Sequence, residues 1–110
     1  MEDQARFVKL SDIEPKDLIP NAVARFIHTD HMTLAYWEFE PGSTLGKHSH
    51  PHEQVTNAIE GTFELTVNGV PYRLEPGTAC VIPPHAEHSG RAITLCTLID
   101  VFYPVREDYR

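Results

Sequence analysis

Apolar and polar residues alternate over short runs in this chain, and turn residues cut the runs before any helical period develops. Met32, Leu34 and Tyr36 alternate with polar or small residues inside the stretch 31–40, which is the period of a half-buried strand. The preceding stretch, 21–29, is similarly rich in β-branched and aromatic residues and predicts another strand. Residues 62–67 and 70–74 flank Asn68-Gly69, a dipeptide suited to a type I′ turn, so a hairpin is expected there. It would place Phe63, Leu65 and Val67 on one face, and likewise Val70, Tyr72 and Leu74. Further strands are predicted over 78–82 and 92–102. The nine prolines and six glycines leave room for one helix start, at 11–17, and Pro15 keeps it short. Many short strands with frequent turn signals predict an all-β sandwich or barrel. No internal repeat or linker interrupts the pattern, so residues 1–110 read as a single domain.

The last predicted strand is apolar on both sides. Ile93, Leu95, Ile99 and Val101 share one parity, while Cys96, Leu98, Asp100 and Phe102 share the other. Both faces should therefore be covered. One would line the barrel interior; the other calls for an N-terminal strand or a second subunit, and a homodimer is expected.

At 110 residues the chain has the size of one domain with one modest core. No run approaches the roughly 20 apolar residues of a membrane helix. The first dozen residues are charged and lack the apolar stretch of a secretory signal. A cytoplasmic protein with no membrane contact is expected. Cys80 and Cys96 lie in apolar runs and read as small buried hydrophobes, not as a disulfide. The formal net charge is -7, and no cluster of Lys and Arg supplies the basic face that nucleic acid needs. A small anionic ligand remains compatible, because a metal and one or two arginines can make a local positive pocket in an acidic protein.

The candidate chemistry is concentrated in residues 42–61. His48 and His50 are two apart, so on a strand both rings point to one side. Gln54 keeps that parity if the strand continues, and a bend at Pro51 would also bring it round. Neutral imidazoles suit zinc, nickel, cobalt, manganese or iron. The stretch 77–90 adds His85 and His88, either of which could close the local pair from a distance. The bare pair serves a solvated strand as readily as a metal.

These two stretches resemble the two cupin motifs. The first runs Gly42, five residues, His48, one residue, His50, three residues, Gln54, six residues, Gly61. The family most often has Glu where Gln54 stands. The second runs Gly77, five residues, Pro83, then His88. Here the family commonly has Gly where His85 stands and Asn where Ala92 stands. Fifteen residues separate the motifs, as in small bacterial cupins. The resemblance implies a double-stranded β-helix, or jelly roll, holding one divalent metal on His48, His50, Gln54 and His88. It leaves His52 and His85 as mouth-lining or exposed residues. A neutral amide at Gln54 keeps the bound metal more positive than a carboxylate would. That favours an anionic substrate and Lewis-acid chemistry over oxygen activation.

The chain ends Leu-Ile-Asp-Val-Phe-Tyr-Pro-Val-Arg-Glu-Asp-Tyr-Arg. Asp100 sits in the middle of an apolar strand, where a carboxylate is costly unless paired or functional. Asp100, Phe102 and Arg106 would either form a substrate pocket or include a structural Asp100–Arg106 pair pinning the C-terminus. The ending and the His-Ser-His-Pro-His-Glu-Gln-Val-Thr run are similar to those of KdgF-like cupins, which linearise unsaturated monouronates. Asn57 stands where an aromatic is usual in that group, and Tyr103 replaces a small residue. The resemblance implies Asp100 as acid and base, Phe102 as pocket wall and Arg106 as the clamp on a substrate carboxylate. The expected activity is metal-dependent ring opening of a small anionic sugar derivative. A cupin dioxygenase and a non-catalytic small-molecule-binding cupin are the alternatives.

Overall fold

Val67 and Val70 are direct partners across Asn68-Gly69, whose φ angles of 49° and 80° are both positive, as a type I′ turn requires. This hairpin belongs to a computed structural model that describes residues 4–110. The described residues form ten strands: β1 (Lys16–Ile19), β2 (Ala22–His28), β3 (Thr33–Phe39), β4 (Thr44–His48), β5 (Glu53–Glu60), β6 (Phe63–Val67), β7 (Val70–Leu74), β8 (Ala79–Ile82), β9 (His88–Ala92) and β10 (Cys96–Tyr103). They make a six-stranded sheet, ordered β1-β2-β3-β10-β5-β8, and a four-stranded sheet, ordered β4-β9-β6-β7. Every ladder is antiparallel. This is the expected all-β jelly-roll barrel.

Alternation along the strands builds the core. Trp37 and Phe39 of β3 and Leu98 of β10 point inward from the larger sheet, and Phe63 and Leu65 from the smaller. The Phe39 and Phe63 rings meet across the barrel at 5.1 Å. One end of the interior is therefore apolar. The other end holds the buried polar residues His50, Gln54, Thr56, His88, Asp100 and Arg106.

Several expectations are corrected. The stretch 92–102 is two strands: β9 ends at Ala92, 93–95 bends, and β10 begins at Cys96 in the opposite sheet. Apolar content carried through the crossover and masked it. The turn is tight against Gly61, where an added Cβ would lie 1.9 Å from the Leu95 carbonyl oxygen at a φ of 79°. The predicted helix start at 11–17 is only a 3-10 turn over Leu10–Asp12, with strand from Lys16. In β7, Leu74 is buried but Val70 and Tyr72 are exposed, because β7 is the edge of its sheet. Finally, the outer face of β10 is only partly covered: Thr97, Ile99 and Val101 are half-buried and Tyr103 is exposed. The N-terminal segment reaches β2, two strands away in the same sheet, where Arg25 Nε donates to the Ile13 carbonyl at 3.2 Å. Both cysteines are free thiols.

Candidate metal centre

Three histidines converge from two elements of the smaller sheet and the turn that leaves it. His48 ends β4 and is the direct partner of His88 at the start of β9; their ring centroids are 4.2 Å apart. His50 lies beyond the end of β4 rather than on one continuous strand with His48. The bend over Pro51 and His52 follows, and the His50 ring lies 5.7 Å from His48 and 4.9 Å from His88. One ring nitrogen from each of the three falls within 4.8 Å of the others.

The hydrogen bonds select the tautomers. Nδ1 of His48 faces the Gly46 carbonyl at 2.7 Å, Nδ1 of His50 faces the His52 carbonyl at 3.1 Å, and Nδ1 of His88 faces the Ala86 carbonyl at 2.9 Å. A carbonyl only accepts, so each Nδ1 carries the proton and donates it. Each neutral ring then offers a bare Nε2. Holding the imidazole by its other nitrogen in this way is the usual orienting arrangement for metal-ligating histidine.

Gln54 enters from β5, and its Nε2 donates to Thr56 Oγ1 at 2.9 Å. This directs Oε1 to within 3.0 Å of His50 Nε2. Both of these atoms are acceptors in the neutral tautomer, so no proton joins them. His88 Nε2 is likewise buried with no hydrogen-bond partner. Facing lone pairs without a donor are costly in a protein interior, and a cation between them removes the cost. Two donors bound at about 2.1 Å and at right angles to one another lie about 3 Å apart. The donor set thus fits a divalent metal, with the histidine trio as its core.

Burial keeps the His50 and His88 rings neutral. His50 is lowered from 6.5 to about 4, first by loss of solvation and then by the Arg106 charge. His88 is lowered for the same first reason. His52 stands beside the site, its ring 5.5 Å from that of His50, and His85 is exposed on the loop before β9. His85 has φ 67°. A left-handed backbone favours glycine, which accounts for the residue common there among cupins.

The C-terminal residues adjoin the metal centre. Asp100 and Phe102 point inward from β10, beside Thr56 and Gln54 of β5. Asp100 Oδ1 is buried without a partner. Burial pushes its carboxyl up to about 6, against the opposing pull of Thr56, Gln54 and the Arg106 charge. The Phe102 ring lies 5.7 Å from the His50 ring.

Arg106 is buried as well, and its guanidinium stacks on the Phe102 and Tyr109 rings at 4.8 and 4.1 Å. The ion pair it makes is with Asp108, not with Asp100. Nε donates to Asp108 Oδ1 at 3.0 Å and Nη2 to Oδ2 at 2.7 Å. The Asp100–Arg106 pinning pair is therefore absent, because the arginine turns toward a carboxylate two residues on.

Sequence reasoning missed four neighbours: Thr56, which aims Gln54; Thr33, whose Oγ1 accepts the Arg106 backbone N–H at 2.9 Å; Asp108; and Tyr109. The i+2 carboxylate after Arg106 was a usable signal. So was the parity that Thr56 shares with Gln54 on one strand, whereas Thr33, 73 residues from Arg106, comes in only through the tertiary fold. Asn57 and Tyr103 both face outward, so those two departures do not alter the pocket.

The cupin domain family model matches residues 35–102. The chain belongs to the cupin family. Among solved cupins, the structure of KdgF from Halomonas sp. superposes with a TM-score of 0.91 at 28% identity, covering 97% of this chain and all of that one. An RmlC-like cupin from Shewanella frigidimarina gives 0.91 at 29% identity with full coverage of both chains. A curated relative, dimethylsulfoniopropionate lyase DddW of Ruegeria pomeroyi, is 39% identical over 57 residues, 52% of this chain. The matched segment spans 38% of that lyase. Cupins similar to this one thus include enzymes, and its own metal-fitting histidines lie inside the matched region.

Proposed function

We propose that this cupin is a metal-dependent enzyme of carbohydrate metabolism that opens the ring of a 4,5-unsaturated monouronate. The observation that carries the reading is the buried Asp100 carboxyl, one oxygen of it without a hydrogen-bond partner, next to Thr56 and Gln54 and within the field of Arg106. The likeness to KdgF over nearly the whole chain supports the same assignment.

The reaction is an isomerisation. The anomeric hydroxyl loses its proton, the bond from the anomeric carbon to the ring oxygen breaks, and the released enolate takes up a proton at carbon to become a ketone. Asp100 is assigned both transfers. A carboxyl near pH 6 accepts and returns a proton readily around neutrality. Arg106 is assigned the substrate carboxylate, which a guanidinium binds in its own plane. Phe102 forms a wall between them. His48, His50, Gln54 and His88 would hold the divalent cation, one of nickel, zinc, manganese, iron or cobalt. When bound, such a cation stabilises a developing oxyanion as a Lewis acid.

The decisive assay follows the alkene absorbance of 4,5-unsaturated galacturonate and mannuronate with metal-loaded protein. Accelerated decay is expected, with Arg106→Ala losing roughly 1.5 to 3 kcal/mol of binding. No acceleration with any of the five metals would refute the uronate assignment, and oxygen uptake with iron would point to dioxygenase chemistry.

The same reading includes a homodimer formed through the outer face of the larger sheet. A cytoplasmic site of action is proposed with it, in keeping with two unbridged cysteines.

A further inference from the structure

Arg106 is held from every side but one. Its backbone N–H is fixed by Thr33 Oγ1 at 2.9 Å, and its carbonyl accepts the Tyr109 N–H at 3.1 Å, closing a tight turn. The rings of Phe102 and Tyr109 pack on the guanidinium. Tyr109 is itself braced by Phe26, 4.7 Å away. What remains is the rim of the guanidinium plane, and that rim has two edges able to grip a carboxylate: Nε with Nη2, and Nη1 with Nη2. Asp108 occupies the first, at 3.0 and 2.7 Å. Nη1 has no carboxylate partner among the described residues, and the Tyr109 hydroxyl is the one other polar group beside the guanidinium. The Arg106 side chain is 8% exposed and that of Asp108 57%. The buried cation is thus steered by a carboxylate that itself reaches solvent.

We propose that Asp108 is a positioning residue for Arg106: it engages the Nε–Nη2 edge and leaves the Nη1–Nη2 edge as the one that receives a ligand carboxylate. The inference rests on the assignment of Arg106 as the substrate clamp and adds the residue that sets its direction. Without Asp108 the guanidinium could rotate about its last side-chain bonds between its aromatic neighbours and present either edge. With it, a carboxylate must arrive in plane and from one side. A neutral ester or alcohol at the same carbon gains nothing from that edge. Asp108 therefore acts on the discrimination of acid from neutral sugar, through Arg106 and without touching the substrate.

The test compares Asp108→Ala with wild type in the metal-loaded full chain, using 4,5-unsaturated galacturonate and its methyl ester. KM for the acid is expected to rise about tenfold, as for loss of an aligned charge-assisted pair. The kcat for the acid should stay within about twofold, and kcat/KM for the ester should not change. Glu107→Gln, an exposed carboxylate of the same turn paired with Arg110, should track wild type. Acid and ester falling together would mean that Asp108 only supports the fold. A lower KM for the acid would mean that Asp108 competes with substrate, and either result overturns the proposal. A second readout needs no turnover: the slowly exchanging Arg106 Nε–H signal in nitrogen-15 spectra, assigned by its loss in Arg106→Lys. It should disappear in Asp108→Ala, and its persistence there would also overturn the proposal. If wild type converts neither compound, the uronate reading fails, while the Nε–H comparison still decides what holds Arg106.

Discussion

His48 and His88 face one another directly across the β4–β9 ladder, with ring centroids 4.2 Å apart and each Nδ1 bonded to the carbonyl two residues before it. Two residues 40 apart in sequence thus present bare nitrogens to one point. The trio is completed by His50, and His85, though near in sequence to His88, lies on the outside of the loop. One divalent metal per chain is expected by elemental analysis of the purified protein. His50→Ala and His88→Ala should each lose it, while His85→Ala keeps it. Equal loss from His85→Ala would mean that the second-motif ligand has been misassigned.

Metal binding should persist into mild acid. The neutral ring is the ligand form, and burial holds His50 down to about 4 and lowers His88. Protons therefore begin to displace the metal from these two residues at lower pH than from ordinary imidazoles near 6.5. Three unperturbed imidazoles would lose roughly several-hundredfold in affinity between pH 7 and 5.5. A much smaller loss is expected by competition titration against a chelator of known pH dependence. A drop of the full size would show that the rings are not desolvated as described.

Asp100→Asn should abolish uronate turnover with the metal retained, and should also stabilise the metal-free protein at alkaline pH. Its folded value of about 6 lies above the ordinary 3.8. The folded state thus binds the proton more tightly than the unfolded chain. That contribution is fully present below about pH 4 and is lost as the pH rises through about 6. Above that, burying the charge costs up to about 3 kcal/mol. Denaturant melts of EDTA-treated protein should show the variant more stable at pH 8 and equal to wild type near pH 4. A variant less stable at pH 8 would indicate that the hydrogen bonds from Thr56, Gln54 and Trp37 outweigh the cost of burying the charge.

Gly61→Ala should destabilise the fold by roughly 1 to 3 kcal/mol, since its φ of 79° and the Leu95 carbonyl leave no room for a Cβ. Urea unfolding would measure this. A neutral result would mean that the β9–β10 crossover shifts freely.

Val81→Glu should separate the proposed homodimer. Val81 is 62% exposed on the outer face of β8, in the same sheet as the half-buried Ile99 and Val101. Sedimentation should give twice the chain mass for wild type and the single mass for the variant. A wild-type monomer would leave that face for another partner.

Local pattern determined a good deal of this protein. The period-2 alternation of Phe63, Leu65 and Val67 with an Asn-Gly turn after them is a nearest-neighbour matter, settled within a dozen residues, and the hairpin stands where it was expected. The spacing of His48, His50, Gln54 and His88 carried the family and the residues that now surround one point. Other features depended on contacts between distant segments. The break at 93–95 is invisible in an apolar run, because it follows from Gly61 meeting the Leu95 carbonyl on another strand. The outward orientation of Asn57 is a matter of register with β10. The partner of Arg106 was decided by the turn that Thr33 and Tyr109 close around it. Charge and spacing permit both Asp100 and Asp108, and only the direction in which the buried guanidinium is held selects Asp108.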